Sequence, residues 1–258
     1  MTSGAGRSPV LISAVDIAKT RQLGKLRQRI LDSITFHIGE GDRVSVVGPN
    51  GSGKTTLLRI LLGVEPPDSG QVLPAAPFNS IRMAYVPQDY RNAFYPWLSV
   101  RRNLLLPFEV DGAGRALADL LQDYEQRSRA YRISVDLGKY PYQLSGGEQQ
   151  VILLLRSLMS DPQILILDEP LSAVDQGRRP LIHADLLNTL NSAATSVLLA
   201  THDIAEAVLL ADRVIVLDQA SPRVRTVIDV PLGWPRSPEV RSRAAFGDLV
   251  ARVSGELM

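Results

Sequence analysis

The segment Gly48-Pro49-Asn50-Gly51-Ser52-Gly53-Lys54-Thr55 constrains this chain more than any other feature. It follows a short β-branched run, residues 43–47 (RVSVV), and opens residues 55–62 (TTLLRILL), which carry a broad apolar helical face. A strand, a glycine-rich turn and a helix together aim backbone N–H groups and a helix N-terminus at one point. Lys54 adds a positive charge that can reach a phosphate, and the Thr55 hydroxyl can ligate Mg²⁺. Thr56 continues the helix start. In a chain of this composition the pattern G-x-x-x-x-G-K-[ST] is expected by chance about 0.002 times. The lysine is informative by itself, because the 28 basic residues comprise 24 Arg and only 4 Lys.

A second feature fits the first. Residues 164–167 (ILIL) form a fully apolar strand that ends in Asp168-Glu169-Pro170. In a parallel sheet, ligands gather at the carboxyl ends of the strands. Two adjacent carboxylates there are costly unless a cation or a reaction uses them. Asp168 suits Mg²⁺, through water, and Glu169 suits a general base acting on water.

The remaining pattern alternates strand and helix. Residues 10–17, 30–38, 81–86, 196–200 and 213–217 read as strands, and residues 179–190 and 204–210 as helices. Residues 39–42 read as a turn. Gly63, Pro66, Pro67 and Gly70 end the first helix. The basic stretch from Lys19 to Arg29 reads as a solvated loop. Residues 89–160 read as a mostly helical insert, broken at 112–114. Residues 221–258, rich in Pro and Arg, end in a helix. The expectation is one α/β domain over residues 1–258, with a core of 1–88 and 161–220, the insert 89–160 and an extension 221–258.

Composition excludes several function classes. The 28 basic residues nearly cancel 27 acidic ones, so no global basic field for nucleic acid exists. With 0 Cys there is no disulfide, thiol catalysis or cysteine metal site. No apolar run approaches the roughly 18 residues of a membrane span. The first ten residues lack an apolar signal core, so the expected place is the cytosol unless a partner holds the chain at a membrane.

Further motifs carry a family resemblance. Leu144-Ser145-Gly146-Gly147-Glu148-Gln149-Gln150 resembles the signature motif of ATP-binding cassette (ABC) ATPases. Ser145, Gly146 and Gly147 open an apolar helix and so form a second anion-binding helix end. Gln88 resembles the Q-loop glutamine, Ser172-Ala-Val-Asp175 the D-loop, and His202 the switch histidine. The resemblance spans roughly residues 10–220. It implies a phosphate-loop NTPase core of the ABC type, with a mixed, mainly parallel sheet, an N-terminal antiparallel part and a helical insert. It also implies ATP and Mg²⁺ as ligands and a head-to-tail dimer in which Ser145, Gly146, Gly147, Glu148 and Asp175 close over nucleotide held by the other subunit. Lys54 and His202 would meet the γ-phosphate, and Thr55, Gln88 and Asp168 would surround Mg²⁺. Glu169 would be the base. Arg21 stands where the family usually has an adenine-stacking aromatic ring, and Val151 where an arginine often follows the signature. His37 and His183 match no motif and read as structural.

Phe94-Tyr-Pro96-Trp97-Leu-Ser-Val100, with Asn103, resembles the pattern of importer ATPases for nitrate, taurine and aliphatic sulfonates. The resemblance implies transmembrane permease partners, an indirect solute-binding protein, a place on the cytoplasmic face of the membrane, and no nucleic acid. It puts Trp97 near a groove for a permease helix; its plainer reading is a packed aromatic. An exporter subunit, a soluble ABC ATPase and a non-enzymatic nucleotide-binding regulator are the alternatives.

Overall fold

The computed structural model describes residues 9–23, 26–110, 116–192, 195–218 and 221–257. The break expected at 112–114 and the first eight residues lie outside them. In chain order the elements are β1 (Val10–Leu23), β2 (Leu26–Gly39), β3 (Arg43–Val47), α1 (Lys54–Leu61), β4 (Ser69–Pro74), β5 (Met83–Val86), α2 (Val100–Val110), α3 (Leu117–Ala130), α4 (Gly146–Met159), β6 (Ile164–Asp168), α5 (Arg179–Ser192), β7 (Ser196–Thr201), α6 (Ile204–Leu210), β8 (Arg213–Leu217), β9 (Val224–Asp229) and α7 (Ala244–Leu257).

Two sheets organise them. β2, β1 and β4 form an antiparallel sheet, and β5-β6-β7-β3-β8-β9 form a second one. The second sheet is parallel except for β9, which runs antiparallel to β8. Its period-two pattern divides the core. Val44, Val46, Ile164 and Ile166 face α1 and the antiparallel sheet. Val47, Leu165 and Leu167 face the other way, toward Ile152 and Leu155 of α4. Both faces of β6 and β7 are therefore covered, which is why these strands are apolar throughout.

Three expectations need correction. The stretch from Lys19 to Arg29 is not a solvated loop: in the described residues β1 and β2 extend through it as a hairpin, with Thr20 opposite Arg29 and Arg21 opposite Gln28. Acids from elsewhere offset its charge, since Lys19 pairs with Glu65 and Asp68, and Arg29 with Asp32. β4 lies where only helix-ending residues were read. Gly70 has φ +82° there, and a Cβ on it would meet the Asp16 carbonyl. Glycine thus allows a close backbone approach to β1 rather than only stopping a helix. Third, the Pro- and Arg-rich extension contributes a strand, β9, to the main sheet.

The sheet order puts β3 between β7 and β8, with β6 beyond β7. The loops after β3, β5, β6 and β7 therefore open at one edge, the carboxyl ends of parallel strands.

Candidate functional site

The loop after β3 is shaped by its glycines. Gly51 and Gly53 have φ of +84° and +93°, and a Cβ on Gly48 would lie 2.6 Å from Ser52 Oγ and 2.9 Å from the Leu217 carbonyl. α1 starts directly after Gly53 with no side-chain cap and no acid in its first turn. Its first N–H groups thus keep their partial positive charge for an outside anion. Among the described residues Ser52 Oγ is buried without a hydrogen-bond partner. Both observations fit a phosphate-bearing ligand. Pro49 supplies a carbonyl acceptor, Asn50 and Gly51 carry the exposed turn, and Thr56 is buried in α1.

Lys54 Nζ donates to the carbonyls of Gly48 (2.8 Å) and Pro49 (3.2 Å), which curls the loop around it. Burial lowers the Lys54 pKa, and the nearby Glu169 and Asp168 charges work against that shift. Three elements meet at Thr55. Its Oγ1 donates to Asp168 Oδ1 at 3.1 Å and lies 3.4 Å from Gln88 Oε1. These three hard oxygen donors suit Mg²⁺, which takes few protein ligands and keeps several waters.

Burial raises the Asp168 pKa, and the Glu169 charge adds to this; the Thr55 and Tyr85 hydrogen bonds oppose it. Tyr85 OH donates to Asp168 Oδ2 (3.4 Å), and burial followed by the Asp168 charge pushes this phenol up to about 12. The carboxylate stays costly, and a cation at that point would offset the cost.

Glu169 is buried at 8% exposure, with its backbone at φ +47°. That region costs a non-glycine residue on the order of 1–3 kcal/mol and persists only where neighbours over-determine it. Here the Glu169 N–H donates to the Ala200 carbonyl (2.8 Å). The Glu169 carbonyl accepts from Gln150 Nε2 (2.8 Å) and from the Ser172 N–H (3.2 Å). The carboxylate lies between two groups: Gln88 Nε2 donates to its Oε2 (3.3 Å), and His202 Nδ1 is 3.3 Å from the same atom. The His202 ring is 58% exposed, so it faces the open edge.

Lys54, Thr55, Gln88, Asp168, Glu169 and His202 are thus brought together. The signature residues are not part of this cluster. Ser145 caps α4 through a capping box: its Oγ accepts from the Glu148 N–H (3.3 Å), and Glu148 Oε2 accepts from the Ser145 N–H (2.8 Å) and Oγ (2.7 Å). Those Ser145 hydrogen bonds lower the Glu148 pKa. A Cβ on Gly147 would meet the Ala173 carbonyl at 2.9 Å, so packing requires glycine there, and one on Gly146 would displace the Tyr90 ring. Asp175 is exposed and ion-paired with Arg178 at 3.3 Å. Arg21 lies on the hairpin, 3.5 Å from Glu65. Val151 is buried in α4.

Several contributors went unread in the sequence. Gln150 is fully buried, and its Oε1 also accepts from the Ala173 N–H (2.7 Å). Its place in the signature heptad was the only available signal. Tyr85 gave none. Asn103 was noted only as part of a motif. It binds both backbone edges of the segment before α2, accepting from the Tyr95 N–H (2.8 Å) and donating to the Tyr95, Leu98 and Ser99 carbonyls. It thereby fixes Trp97, which is not packed inside but 70% exposed, edge-on to Tyr95. A groove nearby is lined by Arg91, Phe94, Pro96, Tyr142 and Leu144.

Comparison with known proteins adds four findings. The family model described as ABC transporter matches residues 31–172. The aliphatic sulfonates import ATP-binding protein SsuB 2 of Pseudomonas syringae pv. syringae is 38% identical over 255 residues, covering 98% of this chain and 83% of that protein. SsuB 1 of Pseudomonas fluorescens is 40% identical over 230 residues, covering 88% of this chain and 80% of that one. Among solved structures, the dimeric post-hydrolysis state of the ATP-binding cassette MJ0796 bound to ADP and Pi matches with TM-score 0.75 and 25% identity, over 87% of this chain and 100% of that one.

Proposed function

This chain belongs to the ABC transporter family, and from that premise we propose that it is the ATP-hydrolysing subunit of an importer for aliphatic sulfonates or a related small solute. The observation that carries the reading is the meeting of Thr55, Gln88, Asp168, Glu169 and His202 at one strand edge beside Lys54. Such a cluster has the parts that phosphoryl transfer to water requires, which are mainly positioning and charge stabilisation.

The loop N–H groups and Lys54 bind the phosphates. Thr55, Gln88 and Asp168 would hold Mg²⁺, which when bound neutralises charge on the β- and γ-phosphate oxygens. Glu169 orients the attacking water and accepts its proton at Oε2 or Oε1. His202 contacts the γ-phosphate from the Glu169 side. Gln88, beside Thr55 and bonded to Glu169, senses whether the site is filled and passes that state to residues 89–160. In the head-to-tail dimer, Ser145, Gly146, Gly147, Glu148 and Asp175 of one copy close over nucleotide held by the other.

Among the described residues no helix is long and apolar enough to cross a membrane. Membrane attachment would therefore come through permease subunits at the cytoplasmic face. The exposed Trp97 and the groove beside it supply an apolar seat for a permease helix. The names of the relatives support the solute class.

The test is turnover in lipid with co-purified permease and solute-binding protein. ATP hydrolysis should rise when the binding protein carries an aliphatic sulfonate, and Trp97→Ala should weaken that coupling. Equal turnover with and without loaded binding protein would overturn the importer reading.

A further inference from the structure

His183 stood outside every motif, yet it lies within a closed polar chain. It is buried on α5, and its Nε2 is 3.1 Å from Glu206 Oε1 on α6. Its Nδ1 is 3.0 Å from Arg241 Nη2, in the turn Pro238–Ser242 of the C-terminal segment. Arginine has donors and no acceptor, so Nδ1 must accept and the ring proton sits on Nε2, aimed at Glu206. The other Glu206 oxygen, Oε2, accepts from Thr201 Oγ1 at 2.6 Å. Thr201 Oγ1 in turn accepts from the Asp203 N–H (3.0 Å), and Asp203 Oδ1 accepts from the Glu206 N–H (3.0 Å). His202 lies between Thr201 and Asp203, the two residues held by this chain. One small cavity is lined by Glu169, His183, His202 and Glu206 together.

We infer that Arg241, His183 and Glu206 form a relay that positions His202, so that the C-terminal segment sets the geometry of the nucleotide switch. The inference rests on the reading of His202 as the γ-phosphate contact. An ordinary packed histidine needs no such arrangement. Here two donor arms converge on one carboxylate: Arg241 through His183 onto Glu206 Oε1, and the Asp203 N–H through Thr201 onto Glu206 Oε2, so Glu206 ties the C-terminal turn to the residues on both sides of His202. His183, Glu206 and Arg241 are positioning residues. They touch neither nucleotide nor reacting atoms.

The chain has 3 histidines, His37, His183 and His202, so ring signals can be assigned by single substitution. Ring ¹H–¹⁵N spectra of the full chain should show the His202 signals shifted or broadened in His183→Leu. His183→Gln should keep them near their native positions, because its amide can donate to Glu206 and accept from Arg241. Arg241→Ala, on the exposed turn, should move them in the same direction as His183→Leu and serves where the Leu variant does not fold. In ATP hydrolysis, His183→Leu should lower kcat about tenfold, the order expected for a misplaced group. KM for ATP should stay within about twofold, with recovery in the Gln variant and no added loss in a His202→Ala background.

Unmoved His202 signals in folded His183→Leu and Arg241→Ala would overturn the relay. So would kcat losses that multiply with His202→Ala. If His202→Ala itself turns over normally while His183→Leu still moves the His202 ring, the relay stands and the γ-phosphate reading of His202 falls.

Discussion

Replacing Gln150 with leucine tests how the signature helix holds Glu169. The wild-type amide makes three hydrogen bonds: to the Glu169 carbonyl (2.8 Å), to Ser172 Oγ (3.2 Å) and from the Ala173 N–H (2.7 Å). Leucine has similar volume and removes all three. Two of the bonds are worth about 1 kcal/mol each, and the Ala173 N–H, left unpaired, costs a further 1–3 kcal/mol or so. Added apolar burial returns about 1 kcal/mol. The net loss is about 3 kcal/mol, which in a chain of this size lowers Tm by roughly 6–12 °C. Glu169 keeps its N–H bond to Ala200 and one carbonyl bond from Ser172, so it drifts without being released. We expect kcat to fall about tenfold, within the hundredfold that a 1 Å displacement can cost, with KM little changed. Scanning calorimetry and steady-state ATPase kinetics on one preparation check both numbers. A Tm drop below about 2 °C together with unchanged kcat would refute the idea that Gln150 braces the Glu169 turn.

Two further outcomes follow from buried charge. The Arg236 side chain is 1% exposed and donates to the Val208, Leu209 and Ala211 carbonyls at the end of α6, and also to Val230, Gly233 and Asp212. Burial pushes its pKa down to about 10, so it remains charged at neutral pH. Arg236→Met should cost about 4 kcal/mol in urea unfolding, from several orphaned carbonyls at 1–3 kcal/mol each with partial rescue by water; a loss under about 1 kcal/mol would show those carbonyls satisfied by other means. Asp168 has a native pKa raised chiefly by burial, so its ionised form destabilises the native state above that pKa, and the burden lifts as pH falls through it. Asp168→Asn should therefore raise the Tm of the nucleotide-free chain at neutral pH by about 2–4 °C per kcal/mol relieved. The gain should shrink toward acid pH, and stabilisation by Mg²⁺ with ATP should vanish; a lower Tm in the nucleotide-free variant would contradict the sign.

What was legible in the sequence had its chemistry at neighbouring positions. The run from Gly48 to Thr55, the strand ending in Asp168-Glu169, and Ser145-Gly146-Gly147 at the start of an apolar helix each combine local geometry with the residues that use it. What was missed depends on partners far along the chain. The basic stretch of the β1–β2 hairpin looked solvated because the acids that pair with Lys19, Glu65 and Asp68, sit more than forty residues away from it. β4 was hidden because Gly70 and the prolines look like helix stops, while the need for glycine comes from the backbone of β1. Gln150 and Tyr85 carry no distinctive residue chemistry; their importance lies in reaching Glu169 and Asp168 from other elements. His183 could be placed only once α5, α6 and the C-terminal turn were seen together.

The most direct test of the central claim is Glu169→Gln in the full chain. It keeps the side chain's size and its place between Gln88 and His202 while removing the ability to accept a proton from water. With ATP and Mg²⁺ the variant should bind nucleotide, accumulate as a stable dimer in light scattering, and hydrolyse ATP orders of magnitude more slowly than wild type. A variant that stays monomeric with ATP bound, or that turns over at near wild-type rate, would contradict the account.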